Sequence, residues 1–202
     1  MPKLPPKDYI ASVEFPNSIS LQPIGIVHSP YKERHGTPRQ ARLRAAPSDY
    51  QPVTASIELF APHVPVIAVQ DLQEFEHIWV ISWLHLNQHW NPTVRIPRQP
   101  SLRRGTLATR APHRPNPIGL SAVKLLRVNG LCLEVAGIDL LDQTPVLDIK
   151  PYIPYCDALP DSHCGYVQQL EFADQYEPDI LGQPASQPFP KPRDPLTDGA
   201  ED

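Results

Sequence analysis

Most of the signatures that announce a catalytic or metal-binding chain are missing from these 202 residues. The three cysteines, Cys132, Cys156 and Cys164, form no C-x-x-C pair. That argues against a disulfide framework or a zinc site and for a reducing, cytoplasmic setting. His163-Cys164 alone reads as incidental, and no metal is expected. No two of the nine glycines are separated by one residue, so the G-x-G-x-x-G turn of a Rossmann site has nothing to form from. P-loop, H-E-x-x-H and G-x-S-x-G patterns are absent as well, and nothing proposes a hydrolytic triad. No run approaches the roughly 20 apolar residues of a membrane span, and Met1–Asp8 has no apolar signal core. No membrane partner is expected.

Acid is missing locally. Arg95, Arg98, Arg103, Arg104, Arg110 and Arg114 face no Asp or Glu anywhere in 95–114. Lys32, Arg34, Arg39, Arg42 and Arg44 face only Glu33 in 31–44. The formal charge of −4 hides this because residues 171–202 hold eight acids and two bases. Two cationic segments on a weakly acidic chain point to an anionic partner at a defined face rather than to bulk binding.

Proline is what the chain has in excess: 27 residues, where average usage of roughly 5% predicts about ten. So many helix breakers favour short strands and ordered loops over a helical bundle. Residues 1–20 read as a flexible arm, 21–170 as one β domain, and 171–202 as an acidic, Pro-rich disordered tail. Within the domain, strands are expected at Pro23–Ser29, Ala55–Phe60, His77–Leu86, Arg103–Thr109 and Thr144–Tyr152. The Val-, Ile- and Trp-rich His77–Leu86 reads as a central strand buried on both faces. Ile118–Val128 and Leu131–Leu141, joined by Asn129-Gly130, predict a hairpin with a type I′ turn. The sum is an all-β fold, a mostly antiparallel single-sheet β-barrel with few short helices, with a sandwich as the alternative.

The densest chemistry lies in Ala108-Thr-Arg-Ala-Pro-His-Arg-Pro-Asn-Pro-Ile-Gly119. Pro112, Pro115 and Pro117 hold Ala111, Arg114 and Asn116 extended, which makes a rigid, donor-rich segment suited to phosphates, carboxylates or base edges. Elsewhere His85 ends the core strand, and Asp139, Asp142 and Asp148 stand at strand ends where a carboxylate can accept from a ribose or amine, or act as a base. Turn-capping is the competing reading for Asp142. For Asp148 and Lys150, two apart on one strand face, it is a structural ion pair.

Four blocks, Ser29 to Gln40, Phe75 to Trp79, Ala108 to Gly119 and Asp139 to Tyr152, together resemble the TsaA-like (YaeB, TrmO) family of S-adenosylmethionine-dependent tRNA methyltransferases. The resemblance runs in order from about residue 22 to 166. It implies a single-sheet barrel working as a homodimer, with the cofactor near the subunit interface. It also implies a reaction: methylation of the N6 nitrogen of threonylcarbamoyladenosine beside the anticodon of threonine tRNA. Cofactor positions carried over are Ala41, Arg42, Leu43, His85, Leu86, Arg110, Leu120, Ala136, Gly137, Ile138 and Asp139. Asp139 or Asp148 is the implied proton acceptor, with Asn116 in the catalytic set, and Arg114, Asn116, Lys150 and Tyr152 are expected to face the tRNA. Gln143 stands where the family usually has Gly, so the turn before Thr144 is expected to differ, and Ala111 replaces a usual Ser. Longer bacterial members carry a second small domain with an Asp-Pro-Arg-Pro-Ala-Tyr signature, whereas the tail here reads Pro192-Arg193-Asp194-Pro195. The intact central motif favours an enzyme. The missing signature keeps open a module that binds S-adenosylmethionine or RNA without turnover.

Overall fold

The computed structural model describes residues 17–33, 37–38, 53–96, 99–159 and 161–168. The chain divides after Asp157, and the barrel lies wholly in the first unit. Residues 1–16 of the expected arm and all of the expected tail lie outside the described residues.

Six strands close into a barrel: β1 (Gly25–His28), β2 (Thr54–Leu59), β3 (His77–Trp83), β6 (Ile118–Asn129), β7 (Cys132–Ala136) and β8 (Pro145–Pro151), in the order β1-β2-β7-β6-β3-β8. Every pairing around the ring is antiparallel. The remaining strands, β4 (Thr93–Ile96) and β5 (Gln99–Gly105), make a separate two-stranded ribbon. Alternation in each barrel strand sends one set of side chains inward, so Val27, Ile57, Ile78, Val80, Val123, Leu133, Val135 and Val146 meet at 0% exposure. A ring of this size has an interior that side chains can fill. Each fully buried Val or Ile contributes about 1.5–3 kcal/mol. Register shifts between Leu125 and Arg127 and between Ile81 and Ser82 bend β6 and β8, as bulges do where a sheet must curl.

The barrel expectation holds, with local differences: β4 has no counterpart among the expected strands, β7 stops at Ala136 rather than Leu141, and three further points bear on the site. β3 is buried on one face only: Ile78, Val80 and Ser82 point inward, while Trp83 is 45% exposed. Its outward Trp79, Ile81 and Trp83 are apolar, and this concealed the alternation in the sequence. The β6–β7 turn is displaced by one residue. Asn129 pairs with Cys132, the two loop residues are Gly130 and Leu131, and of these only Gly130 has positive φ, 57°. Glycine at the first central position is the type II′ pattern rather than I′. Strand β5 ends at Gly105, and Thr106–Ala108 is a 3₁₀ turn rather than more strand.

Candidate active site

Antiparallel pairing brings several chain ends to one mouth of the barrel. Trp83, the end of β3, faces Ile118, the start of β6. Ala136, the end of β7, faces Thr54, the start of β2. The turn after β3 and the Pro-rich loop before β6 therefore open at the same end, and Gly137–Asp139 run toward it.

The Pro-rich loop is fixed from within. Thr106, 1% exposed, donates its N–H to the Pro92 carbonyl at 2.9 Å and its hydroxyl to the Asn91 carbonyl. Arg114 folds back over the turn, donating Nη1 to the Thr109 carbonyl at 2.6 Å, with the Thr106 and Ala111 carbonyls both at 3.4 Å. A cationic donor on converging carbonyls is a strong hydrogen-bonding arrangement. His113 Nδ1 lies 3.1 Å from the His89 carbonyl and donates when that nitrogen carries the proton. The Leu84 N–H donates to the Pro117 carbonyl at 2.7 Å, which ties the exit of β3 to the loop. Arg110 emerges from this frame exposed and has no hydrogen bond or ion pair with any described residue. The Asn116 side chain is also at the surface.

Leu120, 55% exposed, and Ile81 share one row across β6 and β3, and Asp148 continues it on β8, all on the outer face. His85 follows Trp83 in a turn, with their rings 5.9 Å apart, and Leu86 beside it is 64% exposed. Gly137 takes φ 81°, a left-handed conformation that glycine adopts without strain. The chain can thus leave β7 and lay Ile138, 1% exposed, inward. Asp139 then meets β6: the Ser121 hydroxyl donates to Asp139 Oδ1 at 2.5 Å.

The expected residues do not all converge. His85, Leu86, Arg110, Asn116 and Leu120 belong to this mouth, and Gly137–Asp139 run toward it along β6 as far as Ser121; Ala136 lies lower on the wall, paired with Lys124, which in turn pairs with His77. Arg114 belongs to the mouth too, but its Nη1 serves the loop. Lys150 pairs with Trp79, and the Tyr152 N–H donates to the His77 carbonyl at 3.0 Å, with the Tyr152 ring 5.3 Å from that of Trp79. His77 and Trp83 are opposite ends of β3, roughly 20 Å apart at strand rise, so Lys150 and Tyr152 sit toward the far end. Asp148 forms the ion pair with Lys150 at 2.7 Å, both side chains largely exposed, and accepts from the Ile149 N–H at 2.9 Å. Ala41, Arg42 and Leu43 lie outside the described residues.

Asp142 is a turn cap. Its Oδ1 accepts from the Ser29 N–H at 3.0 Å and its Oδ2 from the Lys32 ammonium. The Lys32 hydrogen bond above all, and the Ser29 N–H after it, hold the carboxyl below the usual aspartate value against the opposing effect of burial. A shallow cleft of about 590 Å³ lined by His28, Lys32, Glu134 and Asp142 opens here, but it contains none of the expected cofactor residues. Gln143 keeps φ 63°, so the turn before Thr144 retains the left-handed geometry that glycine would favour. Sequence reasoning passed over Ser121 and Thr106. Ser121 carries a signal, being a polar residue in an inward-facing series with Val123 and Leu125; Thr106 carries none.

Residues 26–158 match the model of the tRNA-methyltransferase O N-terminal domain. This chain belongs to that family. Within the family it is 38% identical over 165 residues to the tRNA (adenine(37)-N6)-methyltransferase of Escherichia coli K12, covering 78% of this chain and 68% of that protein. It is 42% identical over 141 residues to a probable S-adenosyl-L-methionine-binding protein of Methanothermobacter thermautotrophicus, covering 70% of this chain and 95% of that one. Among solved structures, TrmO from Pseudomonas aeruginosa superposes with a TM-score of 0.60 at 40% identity, covering 74% of this chain and 62% of that one. The chain thus spans less than two thirds of that longer family structure.

Proposed function

We propose that this chain is an S-adenosylmethionine-dependent methyltransferase that modifies N6 of threonylcarbamoyladenosine beside the anticodon of threonine tRNA. What carries the reading is that the family match, residues 26–158, takes in nearly the whole ring of strands and every described mouth residue. The chemistry of the mouth fits the cofactor. Arg110 offers a guanidinium to a carboxylate, Leu86 and Leu120 offer an apolar wall, and Asp139 offers an acceptor to ribose hydroxyls or an amine. When bound, the cofactor supplies an electrophilic methyl group.

The chain's own part is to position and to accept a proton. A carbamoylated amine is a poor nucleophile until its proton leaves, so a fixed carboxylate acts best here. Asp139, held by Ser121 at the mouth, is the better acceptor. Asp148 is already engaged by Lys150 and its own strand. Asn116 at the loop surface is left to contact the substrate. A homodimer belongs to the same proposal: Trp83, Ile118 and Leu120 expose 45%, 42% and 55% of themselves on adjoining strands, a face that a second copy would cover. The three free cysteines suit a reducing cytoplasm.

A second reading has its own support: the relative matched over 95% of its length is named as a binding protein. That reading is a module without turnover. Calorimetry with S-adenosylmethionine tests both, with Arg110→Ala expected to weaken affinity by about 1.5–3 kcal/mol through loss of a charged hydrogen bond. No binding at millimolar cofactor would sink both. Mass spectrometry of threonine tRNA from a deletion strain carrying this chain then separates them, since an unchanged nucleoside profile leaves only the module.

A further inference from the structure

Residues 77–133 contain eight lysines and arginines and not one acid, and the β4–β5 ribbon concentrates part of that charge on one exposed face. Arg95 and Arg103 are direct cross-strand partners, and both side chains are exposed. Like charges opposite one another destabilise a strand pair, and neither arginine has an acidic partner among the described residues. Arg103 is also oriented: Nε donates to Thr93 Oγ1 at 2.8 Å and Nη2 to the Thr93 carbonyl at 2.9 Å. Two guanidinium groups side by side, one of them pre-set and neither neutralised, form a receptor for a polyanion. Trp90, 47% exposed, presents an indole just before the ribbon begins at Thr93.

We propose that the β4–β5 ribbon is the grip on the RNA: Arg95 and Arg103 hold its phosphodiester backbone, and Trp90 offers a stacking face for an unpaired base. This rests on the reading that the substrate is a tRNA, and it assigns the contact to an element outside the barrel and apart from the cofactor residues. The ribbon is anchored well enough to serve. Its base is bonded to the Pro-rich loop through Thr106 to Asn91 and Pro92 and through His113 to His89. RNA held on the ribbon is therefore held in a fixed relation to Arg110. Guanidinium groups suit phosphate geometry, and sequence-tolerant binding to single-stranded loops combines such charges with aromatic faces.

The test uses the full chain, threonine tRNA carrying threonylcarbamoyladenosine, and S-adenosylhomocysteine to prevent turnover, with RNA affinity measured by fluorescence anisotropy across a salt series. Losing two phosphate contacts should lower the slope of log affinity against log salt by about 1.4–1.8 and weaken binding roughly 15- to 30-fold at 0.15 M salt. Arg95→Gln/Arg103→Gln should do this while leaving cofactor affinity unchanged. Because Arg103 also holds Thr93, Arg95→Gln alone is the control; Arg95 bonds to nothing described, and its loss should produce about half the change in slope. Arg95→Lys/Arg103→Lys should retain the slope, and Trp90→Ala should cost roughly fivefold or more. If the wild type binds RNA and the double Gln variant matches it, the ribbon assignment is wrong and the functional reading survives. If the double variant keeps RNA affinity but changes oligomeric state in light scattering, the ribbon is an arm between copies of this chain, and the proposal is overturned. If the wild type binds no RNA, the proposal and the reading beneath it fall together.

Discussion

A methyl group added at Gly119 would arrive on the Ser82 hydroxyl, in harder contact than real Cβ atoms make, and would itself lie 3.2 Å from Leu84 Cδ2. Gly119 faces Ser82 across β6 and β3 and is the last residue of the Pro-rich motif, so this close approach seats the loop on the barrel. Overpacking of this kind costs about 1–3 kcal/mol, against which alanine recovers about 0.4–1 kcal/mol by restricting the unfolded chain. Gly119→Ala should therefore destabilise by about 0.5–2 kcal/mol. Ser82 is 0% exposed and its Oγ has no hydrogen-bond partner among the described residues, so Ser82→Ala alone should change stability by less than about 1 kcal/mol. In the double variant the obstructing oxygen is gone, and the nearest atom left is the tip of Leu84, which can turn away. The two substitutions should then couple favourably by about 1–2 kcal/mol in urea unfolding, well beyond the roughly 0.3–0.5 kcal/mol within which independent sites add. Unchanged m-values would show that the unfolded states are comparable. Additivity, or a Gly119→Ala variant as stable as the wild type, would refute the close approach.

Two further outcomes follow from the turn at Leu141–Thr144. Because its folded pKa is lowered, Asp142 adds stability that is complete above the unfolded aspartate value near 4 and drains away as pH falls through that range. Melting temperatures taken between about pH 3 and 7 should fall less steeply for Asp142→Asn than for the wild type, and parallel curves would mean that the Lys32 contact contributes nothing. Gln143 holds a left-handed φ of 63°, which costs a non-glycine residue about 1–2 kcal/mol. Gln143→Gly should raise stability by about 0.5–1 kcal/mol after the extra unfolded-state entropy of glycine is subtracted, whereas a loss would show that the contact from Gln143 Nε2 to His28, at 3.4 Å, matters more than the backbone.

Local chemistry made the barrel readable. β-Branched runs, proline breaks and the Asn-Gly pair located the six barrel strands, though not the end of β7 or the ribbon strand β4, because those preferences act over four to eight positions. Information that depends on register was not readable. Ser121 and Asp139 are 18 positions apart and meet only because β6 and β7 pair as they do. Asp139 to Tyr152 reads as one motif, yet it runs from the Arg110 mouth toward the other end of β3, so adjacency in sequence overstated adjacency in space. Arg114 looked like a ligand for RNA because a guanidinium in a proline-rich segment has no obvious local partner; its partners are carbonyls three, five and eight residues back, created by the 3₁₀ turn that was read as strand.

The ring closes where Gly25 pairs with Val146 and Ile26 with Pro145, positions 121 and 119 apart in the chain. A ribosome adding about 5–20 residues per second would take on the order of 6–24 s to deliver β8 after β1. For that interval β1, though it can pair with β2, offers its other hydrogen-bonding edge to whatever is nearby, and such an edge is a template for pairing with another chain. Recovery of folded protein should therefore depend on what shields the nascent chain during those seconds, more than on the stability of the finished barrel.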